Sequence, residues 1–382
     1  MGRPLLVVLG LCTLAFPVLL ILLWPRLRHP VLGRLGRLGL VVVSQFSAVL
    51  LVAAMLNDYG YFYASWGELF SGAAQAAAIT SPSGSGTQGV AWTPPSGGPR
   101  ALGVVRHVGA YSRPGQWHSR GALEKVVVHG ASTGLSEKAL VYLPPQYFAP
   151  GAQTRRFAAL EVLTGYPGSD KELVKLLHYP GVLRRDMRTG SAQPMILVMT
   201  RPSVTFPRDT ECTDVPGGPQ ALSYFTQDIP SAIDMHYRVL PDRWGVIGDS
   251  TGGYCAAKIA MTDPSTFHAA VSLSGYFTAL HDNTTGNLWG GSPQVRNLNN
   301  LDWRLRHQPA PDIAMLVTTS RDEGGPLGRK NTFRFMRLVK PPMTVQSIVE
   351  PHGSHTFTTW KPEIPESLAW LSRHLYPRGA VL

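Results

Sequence analysis

Acidic side chains are scarce in this sequence: 24 Asp and Glu stand against 35 Lys and Arg, a formal charge of +11. The positive surplus is not gathered into a basic run with interleaved aromatics, and Arg3, Arg26, Arg28, Arg34 and Arg37 all fall near the amino terminus. That distribution speaks against a nucleic-acid partner. Cysteine is rarer still, with three residues, and no Cys/His cluster has zinc-like spacing, so no metal and no other cofactor is expected. No internal repeat is present, which excludes a solenoid or propeller. Charge is missing altogether from two long apolar runs, residues 5–24 and 38–56.

Each of those runs is long enough to cross a bilayer core of about 30 Å at about 1.5 Å per residue. Between them, "PRLRHPVLGRLGR" carries four arginines and no acid, so the positive-inside rule puts the connector in the cytoplasm and both ends of the hairpin outside. A cleaved signal peptide would carry its charges before the apolar run and close it with a small-x-small site; here the charges follow the run. The expectation is a transmembrane hairpin over residues 1–57 that anchors the protein in the cell membrane. Residues 58–103 then make an interfacial and linking segment. Tyr59, Tyr61, Phe62, Tyr63 and Trp66 suit the headgroup layer, and the stretch from Ser71 onward, rich in Gly, Ser, Pro and Ala, suits a tether. Residues 104–382 form the folded, outward-facing domain.

In that domain apolar strand-like runs alternate with helix-like ones. "EKVVVHG" and "KALVYLPP" read as a hairpin; "FAALEVL", "PMILVMT", "RWGVIGD", "HAAVSLS", "IAMLVTT" and "TVQSIVE" read as further strands. "DKELVKLLHYPGVL", "TQDIPSAIDMHYRVL" and "IPESLAWLSRHL" read as helices between and after them. The alternation implies an α/β fold with a mostly parallel central sheet covered on both faces, whose active site collects at the carboxyl ends of strands.

Three such ends carry chemistry. Ser250 lies in "GDSTG", a G-x-S-x-G turn between a strand and a helix, which exposes a serine nucleophile. A serine hydroxyl needs a base and an acid to orient that base. Asp322 follows the strand "IAMLVTT" and His355 follows "TVQSIVE", giving the order Ser, Asp, His of α/β-hydrolases. Glu323 is the alternative acid, and His352 competes with His355. An acyl intermediate also needs two oxyanion donors, expected from the backbone N–H of Thr251 and, in the loop "LTGYPGS", that of Tyr166. Cys212 and Cys255 both fall in the outward segment, where a disulfide is chemically allowed.

Taken together, "ALVYLPPQY", "LTGYPGS", "GVIGDSTGGYCAAKIAM", "VSLSGYF" and "GSHTFTTWKPEIPESLAWL" resemble the putative esterase family of α/β-hydrolases. That family includes esterase D-like enzymes, feruloyl esterases and antigen 85 type mycolyltransferases. The resemblance covers residues 110–378 and implies a serine carboxylic ester hydrolase, or an acyltransferase, acting on an acyl ester; the expected anchor, by topology alone, would keep the site near envelope lipid or glycan esters. It favours His355 as the base and Tyr166 as an oxyanion donor. The mycolyltransferase branch uses a glutamate on a later helix; "GRKNTFRFMRLV" offers none, so the resemblance favours the aspartate after the strand. Asp249 stands where many members carry an aromatic or aliphatic residue, and the hairpin resembles that of membrane-anchored actinobacterial members. A catalytically silent envelope binding protein of the same fold is the reading from another class.

Overall fold

In the computed structural model, which describes residues 3–27, 29, 32–60, 102–103 and 106–376, the chain divides into two compact units, Met1–Gly86 and Thr87–Leu382. In the first, helix α1 (Arg3–Leu23) and helix α2 (Leu32–Gly60) take up the two charge-free runs. They pack on one another, yet Leu14, Ile21, Phe46 and Val49 remain well exposed. Stretches Leu6–Leu23 and Gly33–Met55 are long and apolar enough to cross a membrane. Arg37 donates to the Trp24 carbonyl at 2.9 Å and lays its guanidinium over the Trp24 ring. Of the expected aromatic belt, Tyr59 falls at the end of α2; the rest of the belt and the tether up to Ala101 lie outside the described residues.

The second unit is built on a nine-stranded sheet: β1 (Arg106–His107), β2 (Ala122–His129), β3 (Ser136–Leu143), β4 (Phe157–Leu163), β5 (Met195–Thr200), β6 (Val239–Asp249), β7 (Phe267–Leu273), β8 (Ala314–Ser320) and β9 (Thr344–Glu350). Their order is β1-β2-β3-β5-β4-β6-β7-β8-β9. Pairs β1–β2, β2–β3 and β3–β5 are antiparallel, and every pair from β5 to β9 is parallel. This is the mostly parallel α/β-hydrolase sheet. The strand β4, "FAALEVL", is buried at every position because helices cover both faces there; β9, at the sheet edge, is mostly exposed.

One face is covered by α3 (Asp170–Lys175), α4 (Tyr179–Thr189) and the carboxyl-terminal helix, here α10 (Phe357–Leu375), and the other by α5 (Ile229–His236), α6 (Thr251–Thr262), α8 (Leu301–His307) and α9 (Arg329–Leu338), with α7 (Pro293–Leu298) preceding α8. The single helix expected over "DKELVKLLHYPGVL" is two. Pro180 cannot donate back to a helix turn, so the chain breaks at His178, which is left-handed at φ 56°, and restarts with the proline in the first turn of α4. The parallel arrangement brings the carboxyl ends of β6, β8 and β9 to one edge, and each is followed by one of the residues singled out in the sequence.

Candidate active site

Strand β6 ends at Asp249 and α6 begins at Thr251, so Ser250 alone makes the corner, at φ 55° and ψ −120°. A non-glycine residue held there stores about 1–3 kcal/mol of strain. Its backbone is locked from both sides: Ser250 N–H donates to Leu273 O at 3.0 Å, and Ser250 O accepts from Tyr254 N–H at 3.1 Å. The flanking glycines are needed for close approach. A Cβ on Gly248 would sit 2.3 Å from Gly252 O, and one on Gly252 would sit 2.4 Å from Leu163 O.

His355, in the loop after β9, brings Nε2 to 2.8 Å from Ser250 Oγ. Its ring stands edge-on against Trp360, with centroids 5.0 Å apart. On the other side Nδ1 is 3.3 Å from Glu323 Oε1. This arrangement fits the tautomer with hydrogen on Nδ1, leaving Nε2 to accept from the serine. Glu323 is itself held: Oε2 accepts from Thr319 Oγ1 at 2.8 Å and from Ser320 N–H at 3.3 Å, and Glu323 N–H donates to Ser320 Oγ at 3.1 Å. Burial pushes the Glu323 carboxyl up, but hydrogen bonds from His355 and Thr319 help outweigh it and hold the group below the ordinary glutamate range. It therefore faces His355 as a carboxylate.

Asp322, the acid expected from the sequence, is not the partner of His355. Its Oδ2 accepts from His352 Nδ1 at 3.1 Å and from Gly353 N–H at 3.3 Å, on the solvent side of the loop. Those bonds, that from His352 first, lower its pKa. Glu323 takes the inward place because its side chain folds back onto the end of β8, where Thr319 and Ser320 offer two donors; the preceding residue then faces outward. His352 follows Asp322 out. The two histidines thus face different carboxylates, and among the described residues no cluster of three or more His, Cys, Asp or Glu is arranged to hold a metal.

Ser250 and His355 open into a cleft of about 420 Å³ that Tyr166 and Thr251, the two expected oxyanion donors, also line. Asp249 points inward. It is fully buried, burial pushes its carboxyl up to about 7, and its Oδ2 accepts from Gly165 N–H at 2.9 Å. The rest of the lining was not legible as such: Tyr276, Leu280 and Leu327 supply apolar surface, and Asp209, Asp282 and Asp322 join Glu323 to make the lining acidic, with no Lys or Arg in it. Trp289, in the long polar segment after β7, is buried against Val215 and Leu288.

The acidic wall has its own support. Asp209 Oδ2 accepts from Thr251 Oγ1 at 3.3 Å, and Glu211 takes the hydroxyl of Tyr276 at 2.5 Å. Lys258 on α6 donates to Glu211 O at 3.0 Å and Thr213 Oγ1 at 2.8 Å. Cys212 and Cys255 are joined by a disulfide, which ties this wall to the helix that starts after Ser250.

Comparison with known proteins follows the same lines. A family described as putative esterase matches residues 130–371. An uncharacterized protein of Corynebacterium glutamicum is 20% identical over 271 residues, 66% of this chain; the chain spans 62% of that protein's length. Among solved structures, an S-formylglutathione hydrolase from Agrobacterium tumefaciens superposes with a TM-score of 0.58 at 14% identity, over 71% of this chain and 99% of that one. A ferulic acid esterase gives 0.57 at 17% identity, over 68% of this chain and all (100%) of that one. A fluorophosphonate-binding serine hydrolase of Staphylococcus aureus gives 0.53 at 15% identity, over 67% and 100%. At these identities the likeness concerns the fold.

Proposed function

Because the chain belongs to the putative esterase family, we propose that it is a serine hydrolase of carboxylic esters working through Ser250, His355 and Glu323. One observation carries this: the continuous line from Glu323 Oε1 to His355 Nδ1 at 3.3 Å and from His355 Nε2 to Ser250 Oγ at 2.8 Å. His355 takes the Ser250 proton as Oγ attacks the ester carbonyl, and the ionised Glu323 steadies the imidazolium that forms. The N–H groups of Thr251 and Tyr166 receive the oxyanion. The C–O bond to the alcohol then breaks, the leaving oxygen takes the proton from His355, and an acyl-Ser250 remains. Water attacks that acyl group with His355 again as base, releasing the acid and restoring the serine.

The acidic lining and its lack of Lys or Arg favour esters that are neutral or cationic over anionic ones. The two apolar helices and the basic connector support a membrane anchor with the hydrolase domain on the outer side. An anchored site of that kind suits acyl esters of the envelope, in lipid or glycan.

The reading is tested by labelling the full chain, in detergent, with a fluorophosphonate probe. Labelling of the wild type that disappears in Ser250→Ala and His355→Ala is expected. A folded wild type that takes no label would move the chain to the silent binding class. Sidedness is read by protease accessibility of the domain in intact cells; a protected domain would overturn the outward placement.

A further inference from the structure

We infer that Asp249 is a positioning residue: its carboxyl ties the loop carrying Tyr166 to the nucleophile turn, so that both oxyanion donors are held in one frame. The inference rests on the serine-hydrolase reading and adds to it a residue that touches neither substrate nor the reacting atoms.

Asp249 ends β6, two positions after Ile247, and side chains two apart on a strand share a face. Ile247 belongs to the apolar layer under α3, α4 and α10, so the Asp249 carboxyl is directed into an apolar setting. It is fully buried there, and its Oδ1 has no hydrogen-bond partner among the described residues. A buried, half-satisfied carboxyl costs stability, and a leucine in that place would not. A compensating role is therefore expected, and the hydrogen bond it accepts indicates which.

That contact is Gly165 N–H to Asp249 Oδ2, at 2.9 Å. Gly165 is pinned at its other end too, where its carbonyl accepts from Gly168 N–H at 2.8 Å, while Thr164 N–H donates to Thr200 O at 3.2 Å. The next residue is Tyr166. The loop approaches the nucleophile turn as closely as a chain without a side chain permits: a Cβ on Gly165 would lie 3.0 Å from both Asp249 Oδ2 and Ser250 Cβ. Asp249 is bonded directly to Ser250 and stands two residues from Thr251. One side chain thus links the donor before Pro167 to the donor at the start of α6. Oxyanion donors act by being fixed in advance at the place where charge develops, so loosening one of them lowers turnover more than substrate binding.

The test compares the full chain in detergent as wild type, Asp249→Asn and Asp249→Ala. It reads kcat and KM on a neutral aryl ester together with the inhibition constant of a boronic acid, whose serine adduct needs the oxyanion donors. Asp249→Ala is expected to lower kcat and weaken the boronic acid by about 100-fold, with KM within about threefold. Asn keeps an oxygen that accepts from Gly165 N–H, so Asp249→Asn is expected within about tenfold of the wild type on every measure. Should the alanine variant not fold, Asp249→Leu fills the same apolar space without an acceptor and is expected to show the same loss. A folded alanine or leucine variant with kcat within about threefold of the wild type would overturn the inference alone. So would an asparagine variant as impaired as alanine. A wild type with neither turnover nor boronic acid binding would overturn it together with the esterase reading.

Discussion

Two carboxylate–histidine pairs stand side by side at the ends of β8 and β9, and they share a spacing but not a setting. Asp322 and His352 are 3.1 Å apart with side chains 54% and 89% exposed; Glu323 and His355 are 3.3 Å apart, and the glutamate side chain is 5% exposed. The shorter contact belongs to the pair that is remote from Ser250. Under the proposed function, distance alone does not select the working pair. What selects it is that Glu323 is fixed by Thr319 and Ser320, remains ionised in a buried place, and holds an imidazole whose other nitrogen meets the serine. In the outer pair each partner is solvated, so the contact orients nothing.

The largest effect that could break this comparison is on the histidines. His355→Ala is expected to lower kcat by at least about 10⁴-fold, whereas His352→Ala stays within about threefold, measured by steady-state hydrolysis of a neutral ester. Equal losses would merge the two pairs into one unit.

A second comparison sharpens the role of the donors. Glu363 on α10 is buried near Glu323, yet burial pushes its carboxyl up to about 8, with Thr318 Oγ1 donating to it at 2.7 Å. Below its ordinary value of 4.5 both folded and unfolded chains carry the proton, and the favourable contribution is fully present. As pH rises towards 8 the unfolded chain ionises while the folded one keeps its proton, so stability is lost across that window. Glu363→Gln lacks this titration. Its thermal stability relative to the wild type is expected to rise by a few kcal/mol between the two ends of the window, and an unchanged difference would contradict the assignment.

The smallest effect concerns the outer pair's remaining role. An ester bearing a carboxylate is expected to show about tenfold lower kcat/KM than its neutral isostere at low salt, a gap that narrows as salt rises. Asp322→Asn should narrow it too. A preference for the anionic ester would remove the electrostatic reading of the cleft.

The sheet was legible in the sequence, and so were the positions of Ser250 and His355, because each sits where a strong pattern ends: Gly248 to Gly252 at the close of β6, and His355 just past β9. It put Asp322 ahead of Glu323, whereas the structure pairs Glu323 with His355 and Asp322 with His352. Both follow β8, and the choice between them is made by a turn in which Ser320 Oγ accepts from Glu323 N–H while the glutamate side chain folds back on the strand end. The direction of Asp249 was hidden for a related reason, since its place in an apolar layer depends on the register of β6 against the helices. His178 broke an expected helix because its left-handed backbone allows Pro180 to begin a new one. The acidic lining comes from Asp209, Asp282 and Asp322, far apart in the chain and joined only by the fold.

The central claim is that the inner carboxylate, and not its neighbour, orients the base. The most direct test is kcat/KM of the full chain on a neutral p-nitrophenyl ester, with Glu323→Gln and Asp322→Asn measured beside the wild type. The expected result is a fall of about 10²–10⁴-fold for Glu323→Gln and a change within about threefold for Asp322→Asn. The reverse pattern, with Asp322→Asn crippled and Glu323→Gln near the wild type, would contradict it.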